Sequence, residues 1–260
     1  MRLISALLVT KGHVFEREPF FAMIDALARP TADVHIEWTH VEQPAVAALM
    51  DVERASGFDV IVWYDMPGVT FNRTNPPFAH YDPTDAYKTG FLSLLDAGKP
   101  MIFLHHAIAA WPSWPEFAQL LGGRFHFLPG DFSGVSYPGS GYRFNVPQTI
   151  SVERHHPIVD GLPDRFDLTD EVYMYAVNEP DVTPLLRSDF SFVPSNFHHG
   201  GVGFKDHPPA SNLIGWTKRA RNAPIAYLQP GHGPEVYQDP NFRRLVANAV
   251  QWATSNDPPI

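Results

Sequence analysis

Short apolar runs alternate with stretches of helical periodicity through the first half of the chain, and this alternation restricts the fold more than any other feature. Runs of this kind occupy residues 3–9, 34–38, 58–64 and 101–104. Strands that alternate with helices form parallel βαβ units, in which helices cover both faces of the sheet. The pattern therefore predicts a flavodoxin-like α/β fold, with three α/β/α layers and a mainly parallel central sheet.

The pattern changes after Arg124. Shorter runs follow at residues 142–145, 149–154, 171–175 and 213–218, and they predict a mixed or antiparallel extension of the same sheet. Residues 224–228 return to the earlier pattern as a strand, and a closing helix is predicted to begin at Asp239-Pro240. A chain of 260 residues can bury a full core, so we expect a single domain, residues 1–260.

Capping residues predict where the other helices begin and end. Asp82 is placed as the N-cap of a helix that runs to about residue 97, with Pro83 at its first position. Residues 43–50 also have the pattern of a helix, and Pro30 is expected to stop the first helix.

The composition excludes several function classes. The formal charge is −9 and no Lys/Arg cluster exceeds that of residues 218–221, which argues against a nucleic-acid partner. The chain has no cysteine, which excludes disulfides, thiolate metal ligands and a thiolate nucleophile, and fits a reducing cytosol. The first apolar run is too short to span a bilayer, so we expect a cytoplasmic protein with no membrane partner. Without a GxGxxG or Walker motif, no nucleotide cofactor is expected.

Histidines follow three of the predicted strands. His105 comes directly after the strand at 101–104, His13 follows the first strand, and His232 lies in a Gly-His-Gly loop after the strand at 224–228. In open α/β sheets the ligand crevice lies beyond the carboxyl ends of the strands. Imidazoles there suit acid–base catalysis or metal ligation, although structural histidines would give the same pattern. On a strand, His106 would point away from His105 unless the backbone turns there.

One acidic residue and several further side chains complete the candidate set. If residues 171–175 are extended, Glu171 and Tyr173 share a face and could orient a sugar hydroxyl or an imidazole, although an amphipathic edge strand has the same pattern. Trp111 is an aromatic residue near a strand end that could stack on a sugar, or belong to the core. His198 lies in a Gly/Pro-rich loop that could act as a lid. The predicted catalytic residues are His105, Glu171, His13 and His232, and the predicted substrate-binding residues are Tyr173, His106, Trp111 and His198.

With these residues in place, the chain resembles the ThuA (trehalose utilisation) family, a branch of the class I glutamine amidotransferase-like fold. The family usually has a small hydroxylated residue where this chain has His106. Amidotransferases of this fold carry a nucleophilic cysteine at the elbow that corresponds to His105, so glutaminase activity is not expected here. The matching segments run in order along nearly the whole chain: Lys11-Gly12-His13, Phe58-Asp59-Val60-Ile61-Val62, Leu104-His105-His106-Ala107, His156-Pro157-Ile158, Gly161-Leu162-Pro163, Asp170-Glu171-Val172-Tyr173, Gly231-His232 and Ala249-Val250-Gln251-Trp252.

The resemblance implies a role in carbohydrate metabolism, on disaccharides or their oxidised forms, and a divalent metal in some relatives. We expect an enzyme of the hydrolase or isomerase type, with His105 as general acid/base or ligand and Glu171 as the group that orients or deprotonates. A second hypothesis is a zinc-like metal site, with His13, His105 and His232 as nitrogen ligands and Glu171 as an oxygen ligand. A third is a non-catalytic sugar-binding or regulatory protein. Homo-oligomers are common for this fold, but no surface stripe of this chain argues for one.

Overall fold

A ten-stranded sheet runs through the centre of the computed structural model, which describes residues 1–29 and 33–260. Helices lie on both faces of this sheet, and three two-stranded pairs lie outside it. The strands are β1 (Arg2–Lys11), β2 (Val34–Glu42), β3 (Val60–Asp65), β4 (Val69–Phe71), β5 (Phe78–His80), β6 (Met101–Leu104), β7 (Gly123–Arg124), β8 (Gly130–Phe132), β9 (Val135–Tyr137), β10 (Gly141–Val152), β11 (Arg165–Met174), β12 (Ala176–Val177), β13 (Thr183–Ser188), β14 (His198–His199), β15 (Leu213–Ala220) and β16 (Ala223–Leu228). The α-helices are α1 (Arg17–Leu27), α2 (Asp85–Asp96), α3 (Pro115–Leu121), α4 (Pro234–Gln238) and α5 (Pro240–Ala253). Short 3-10 helices span Ala45–Leu49, His105–Ala109, Pro157–Val159, Glu179–Asp181, Pro194–Asn196 and Phe204–Asp206.

The large sheet consists of a parallel part and an antiparallel part. Parallel pairing joins β2, β1, β3, β6 and β16 in that order, which is the flavodoxin-like strand order. Antiparallel pairing then adds β15, β13, β10 and β11 beyond β16. The predicted parallel sheet with an antiparallel extension is confirmed.

The parallel strands are buried on both faces, which explains why their sequences are continuous apolar runs. Leu8 and Val62 point into the apolar layer that also contains the buried faces of α1 and α5. Leu7 and Ile61, their neighbours in sequence, point into the layer that contains α2 and α3. Side chains of a strand alternate between the two faces, so each strand contributes to both layers, and the three-layer α/β/α architecture follows.

The predicted helix ends are only partly right. Asp239 caps α5 as predicted, since its carboxylate accepts hydrogen bonds of 2.8 and 2.9 Å from backbone N–H groups of the first turn. The N-cap of α2 is Thr84 rather than Asp82, because the Thr84 hydroxyl accepts from the backbone N–H three residues later (3.2 Å). Within residues 43–50 the helix is only the short 3-10 turn Ala45–Leu49. The stop predicted at Pro30 lies outside the described residues. Over the described part of the chain, no helix has the length and apolar character needed to cross a membrane.

The β10–β11 hairpin extends past the rest of the sheet. These two strands pair along residues 141–151 of β10, whereas β13 pairs with β10 only at residues 150–152. The half of the hairpin that β13 does not reach, where β14 pairs with β10, continues beyond β13 and carries the carboxyl-terminal part of β11 across the ends of the parallel strands. There the backbone N–H of Gly231, which follows β16, donates to the carboxylate of Asp170 on β11 (2.7 Å). This contact brings the two halves of the sheet together at one crevice.

Candidate active site at the strand ends

Three ionisable side chains converge in this crevice: one lies on β11, one directly follows β6 and one lies in the loop after β16. Nε2 of His105 lies 3.0 Å from Oε2 of Glu171 and 3.2 Å from Nδ1 of His232. The same Glu171 oxygen lies 2.8 Å from Nδ1 of His232. The side chains of His105 and Glu171 are buried, whereas that of His232 is 29% exposed. We refer to His105, Glu171 and His232 as the triangle.

A sharp backbone turn places His105 in the triangle. Leu104 is extended, but His105 has a φ of +47°, in the left-handed region that a residue with a side chain rarely adopts. The hydroxyl of Tyr227 donates to the His105 carbonyl oxygen (2.9 Å) and helps to hold this conformation. Strained backbone of this kind is concentrated at functional sites. Because the backbone turns here, the two neighbouring histidines occupy different places. Only His105 lies in the triangle, and His106 is buried beneath it.

The imidazole of His105 is oriented by the first residue after β16. Its Nδ1 lies 2.7 Å from the backbone carbonyl oxygen of Gln229, and since a carbonyl can only accept, Nδ1 must carry the proton. Nε2 therefore faces Glu171, His232 and the hydroxyl of Tyr173, which lies 2.8 Å away. The Gln229 amide also donates to the backbone carbonyl of Glu171 (2.7 Å). Gln229 is not among the residues predicted from the sequence, although a buried polar residue directly after a parallel strand is a usable signal.

A second missed residue, Asp170, holds the loop that carries His232. Its carboxylate accepts hydrogen bonds from the backbone N–H groups of Gly231 (2.7 Å), His232 (3.1 Å) and Glu171 (2.8 Å). Burial raises the pKa of Asp170 above its usual value, although these donors oppose the rise. In the sequence, Asp170 stands directly before Glu171, and this position was a usable signal. No local pattern, however, shows that the carboxylate of Asp170 binds a loop 61 residues away.

Contacts within the triangle shift the pKa values of Glu171 and His232 in opposite directions. Burial alone would raise the pKa of Glu171, but the contacts of its carboxylate with the imidazoles of His105 and His232 outweigh burial and lower the pKa to about 2. Burial alone would lower the pKa of His232, but the hydrogen bond to Glu171 and its charge outweigh burial, so that pKa is raised. Near neutral pH, Glu171 is therefore ionised and His232 holds its proton more tightly than a free histidine does.

Two cavities meet at Glu171, which lines both of them. The first has a volume of about 230 Å³ and is mostly apolar. The second, about 250 Å³, is more polar and includes His232. The first is lined by His13, Met66, Phe71, Ala109, Phe125, Phe127, Tyr142, Phe144, Glu171, Tyr173 and Gly200, and we call it the aromatic cavity. The second is lined by Val14, Phe15, Glu16, Asn145, Thr169, Asp170, Glu171, His232, Gly233, Pro234, Glu235 and Val236.

Two further predicted residues lie next to the triangle. Tyr173 lines the aromatic cavity and contacts His105, as described above. His13 also lines this cavity, with its ring centre 6.2 Å from that of His232, but it is not one of the three residues whose ligand atoms converge. Burial and the nearby His105 lower the pKa of His13, so it is held neutral.

Three predicted substrate-binding residues lie outside the cavity lining. His106 is buried between His13 and Tyr64, with ring centres 4.9 and 4.4 Å away, and burial lowers its pKa well below the usual value. Trp111 is buried in the core, because periodicity does not distinguish a core aromatic from a cavity aromatic. His198 lies on the exposed strand β14, with its ring 5.9 Å from that of Tyr142.

The triangle has the composition and spacing of a divalent-metal site. Its ligand atoms, two imidazole nitrogens and one carboxylate oxygen, lie 2.8 to 3.2 Å from one another. Metal–ligand distances of about 2.0–2.2 Å place neighbouring ligand atoms roughly 3 to 3.5 Å apart. The Nδ1–H of His105 donates to a backbone carbonyl, as ligating histidines usually do with the nitrogen that does not bind the metal. His105, Glu171 and His232 therefore fit an ion such as zinc.

Comparisons with known proteins agree with the fold described above. The sequence pattern of the family described as ThuA, trehalose utilisation, matches residues 5–253. A thua-like protein from Parabacteroides merdae has a similar structure, with a TM-score of 0.69 and 15% identity over 100% of this chain and 92% of that one. Another from Bacteroides uniformis gives a TM-score of 0.65 and 21% identity, over 98% of this chain and 92% of that one. A search of curated proteins found no match.

Removing the Asp170 carboxylate should destabilise the protein. In Asp170→Ala the N–H groups of Gly231 and His232 lose their acceptor, and each buried donor left unpaired costs roughly 1–3 kcal/mol. We expect urea unfolding to give a free energy of unfolding lower by roughly 2–5 kcal/mol. The matched control is Asp167→Ala, on the exposed face of the same strand, which should cost less than about 1 kcal/mol. Equal effects of the two substitutions would contradict the role assigned to Asp170.

Proposed function

The chain belongs to the ThuA, or trehalose utilisation, family, and from this premise we propose that it is an enzyme that acts on a small carbohydrate by acid–base chemistry at the strand ends. The observation that supports this most strongly is the triangle itself, in which His105, Glu171 and His232 meet within 3.2 Å beside two cavities. Ionisable groups with shifted proton affinity in a crevice are characteristic of catalytic sites. The proposed reaction is of the hydrolase or isomerase type.

The exposure of each side chain suggests how the roles are divided. Glu171 lines both cavities, and as an anion it stabilises a protonated His232. His232 is partly exposed, so it is the imidazole that would exchange a proton with a substrate oxygen. His105 is fully buried, and we assign it a positioning role through its contacts with Glu171 and Tyr173. This assignment differs from the general acid/base role that the sequence suggested for His105.

The chemistry at the elbow differs from that of the amidotransferases. The strained position after β6 holds an imidazole, and the chain has no cysteine. A thioester intermediate with the substrate is therefore not available to this protein. Proton transfer to and from hydroxyl or carbonyl oxygens is the chemistry that the side chains in the crevice support.

The role of Glu171 can be tested by one conservative substitution and a matched control. Glu171→Gln keeps the shape but loses the charge that holds the proton on His232, so kcat/KM should fall by about 10²-fold or more. Glu235→Gln makes the same change elsewhere in the second, more polar cavity and should alter kcat/KM less than about threefold.

Substrates would be found by mass spectrometry on a panel of mono- and disaccharides and their oxidised derivatives. Full turnover by Glu171→Gln would contradict the proposal, and ligand-dependent melting shifts without any turnover would favour a non-catalytic sugar-binding protein.

The second candidate function is that of a metal-dependent hydrolase or isomerase, and the spacing of the ligand atoms in the triangle favours it. His105, His232 and Glu171 would hold the ion, and His13 would lie outside this set, although the sequence suggested it as a fourth ligand. A bound ion would supply Lewis-acid polarisation of a substrate oxygen. In that case Tyr173, on the lining of the aromatic cavity, would still orient the substrate.

Metal content separates the two candidates. For the metal-dependent enzyme, elemental analysis of protein purified without added metal should give close to one late first-row ion per chain. This content should be lost in His232→Ala and kept in His13→Ala, because only the first substitution removes a ligand. Added zinc should also raise the melting temperature of metal-stripped wild type, but not of His232→Ala. Clearly substoichiometric metal together with retained activity would remove this candidate.

A further inference from the structure

Aromatic side chains form most of the wall of the cavity next to Glu171. Its volume of about 230 Å³ is below the roughly 300–1,000 Å³ of pockets for drug-sized ligands. The cavity therefore has room for one ring of a ligand but not for two. The phenylalanines and tyrosines of the wall are Phe71, Phe125, Phe127, Tyr142, Phe144 and Tyr173.

The polar part of the lining lies on the side of the triangle. It consists of Glu171 itself, Tyr173, whose hydroxyl contacts His105, and His13, whose ring is near that of His232. A ligand in this cavity would meet aromatic rings on most sides and hydrogen-bonding groups on one side. A pyranose ring matches this division, because its faces carry C–H groups and its edge carries hydroxyls.

An irregularity in β10 places Phe144 at the cavity. Arg143 pairs with Val172 and Val146 pairs with Asp170, so β10 has one residue more than β11 over this stretch. Asn145, inside this bulge, has a φ of +54°. Bulges of this kind occur next to active sites, where they redirect a side chain. Here the bulge leaves Phe144 47% exposed, with its ring centre 5.1 Å from that of His232.

A second exposed phenylalanine lines the same cavity from a different element. Phe71, at the end of β4, is 56% exposed, and its ring lies 6.2 Å from that of Phe127. Single exposed apolar side chains are common on protein surfaces. Phe71 and Phe144 are two large exposed side chains that line the same cavity as Glu171, and together they indicate a surface that a ligand covers.

We propose that the aromatic cavity is a subsite for one pyranose ring, and that Phe144 stacks on that ring and positions it against Glu171. The ring covers the exposed face of Phe144 and turns its hydroxyl edge toward Glu171, Tyr173 and His13. Phe144 thereby sets which sugar atom comes nearest to the triangle. This inference deepens the proposed function and rests on it, since the cavity is taken to present the substrate to Glu171.

Ring binding can be measured without knowing the natural substrate. The probes are the methyl α- and β-D-glucopyranosides, and the acyclic control is glucitol, which has hydroxyls but no rigid ring face. Saturation-transfer NMR with irradiation of the aromatic protons should give the strongest signal on the ring C–H groups of a pyranoside. Titration of Phe144→Ala should weaken pyranoside binding by about tenfold, because the stacking contact is lost. Phe144→Trp should keep binding near the wild-type value.

A matched control separates loss of stacking from a general change in the surface. Tyr81 is as exposed as Phe144 but does not line the cavity, so Tyr81→Ala should bind the pyranoside like wild type. Far-UV circular dichroism and melting temperature check that each variant is folded. Unchanged binding by folded Phe144→Ala, equal binding of glucitol, or no saturation transfer to either anomer would overturn the subsite.

The outcome also distinguishes this inference from the proposed function. If a substrate is turned over and Phe144→Ala leaves its KM unchanged, the subsite is wrong while the acid–base proposal stands. If pyranoside binding depends on Phe144 but Glu171→Gln leaves turnover unchanged, the subsite stands and the acid–base proposal fails.

Discussion

The carboxyl group of Asp170 is the contact on which the rest of the site depends. It accepts hydrogen bonds from the backbone of Gly231 and His232 and so fastens the loop after β16 to the hairpin of the antiparallel extension. The Gln229 amide makes a second link, to the backbone of Glu171. Burying a carboxyl group is costly, and three backbone donors offset that cost. These links help to fix Glu171 and His232 relative to the strained turn at His105, together with the hydroxyls of Tyr64 and Tyr237, which donate to the backbone carbonyls of Gly231 and His232.

Three histidines of this region have pKa values shifted in different directions by their surroundings. His232 shares a hydrogen bond with Glu171, and its pKa is raised despite partial burial. His13 and His106 lack such a bond and lie against other imidazoles, so burial lowers their pKa. The same residue type is therefore held more readily protonated at one position and neutral at the two others.

The sequence could predict what depends on local pattern. The strand that delivers His105 was predicted with its observed bounds, since an apolar run between a helix end and a turn is a local signal. The pairing of Glu171 with that histidine depends on the β10–β11 hairpin, which extends past β13. The contact between Asp170 and Gly231 spans 61 residues. No local pattern encodes either feature. Phe144 was missed because one extra residue in a strand has no signature of its own: residues 142–145 and 149–154 were predicted as separate runs, whereas one bulged strand contains most of both.

Nitrogen NMR of histidine-labelled, metal-stripped protein tests most directly whether His105 sits in the triangle as described. The carbonyl of Gln229 can only accept a hydrogen bond, so Nδ1 of His105 must carry a proton and Nε2 must face Glu171. We predict a slowly exchanging Nδ1–H signal that is absent from the His105→Gln variant. A spectrum in which the proton of neutral His105 is on Nε2 and Nδ1 is unprotonated would contradict this arrangement.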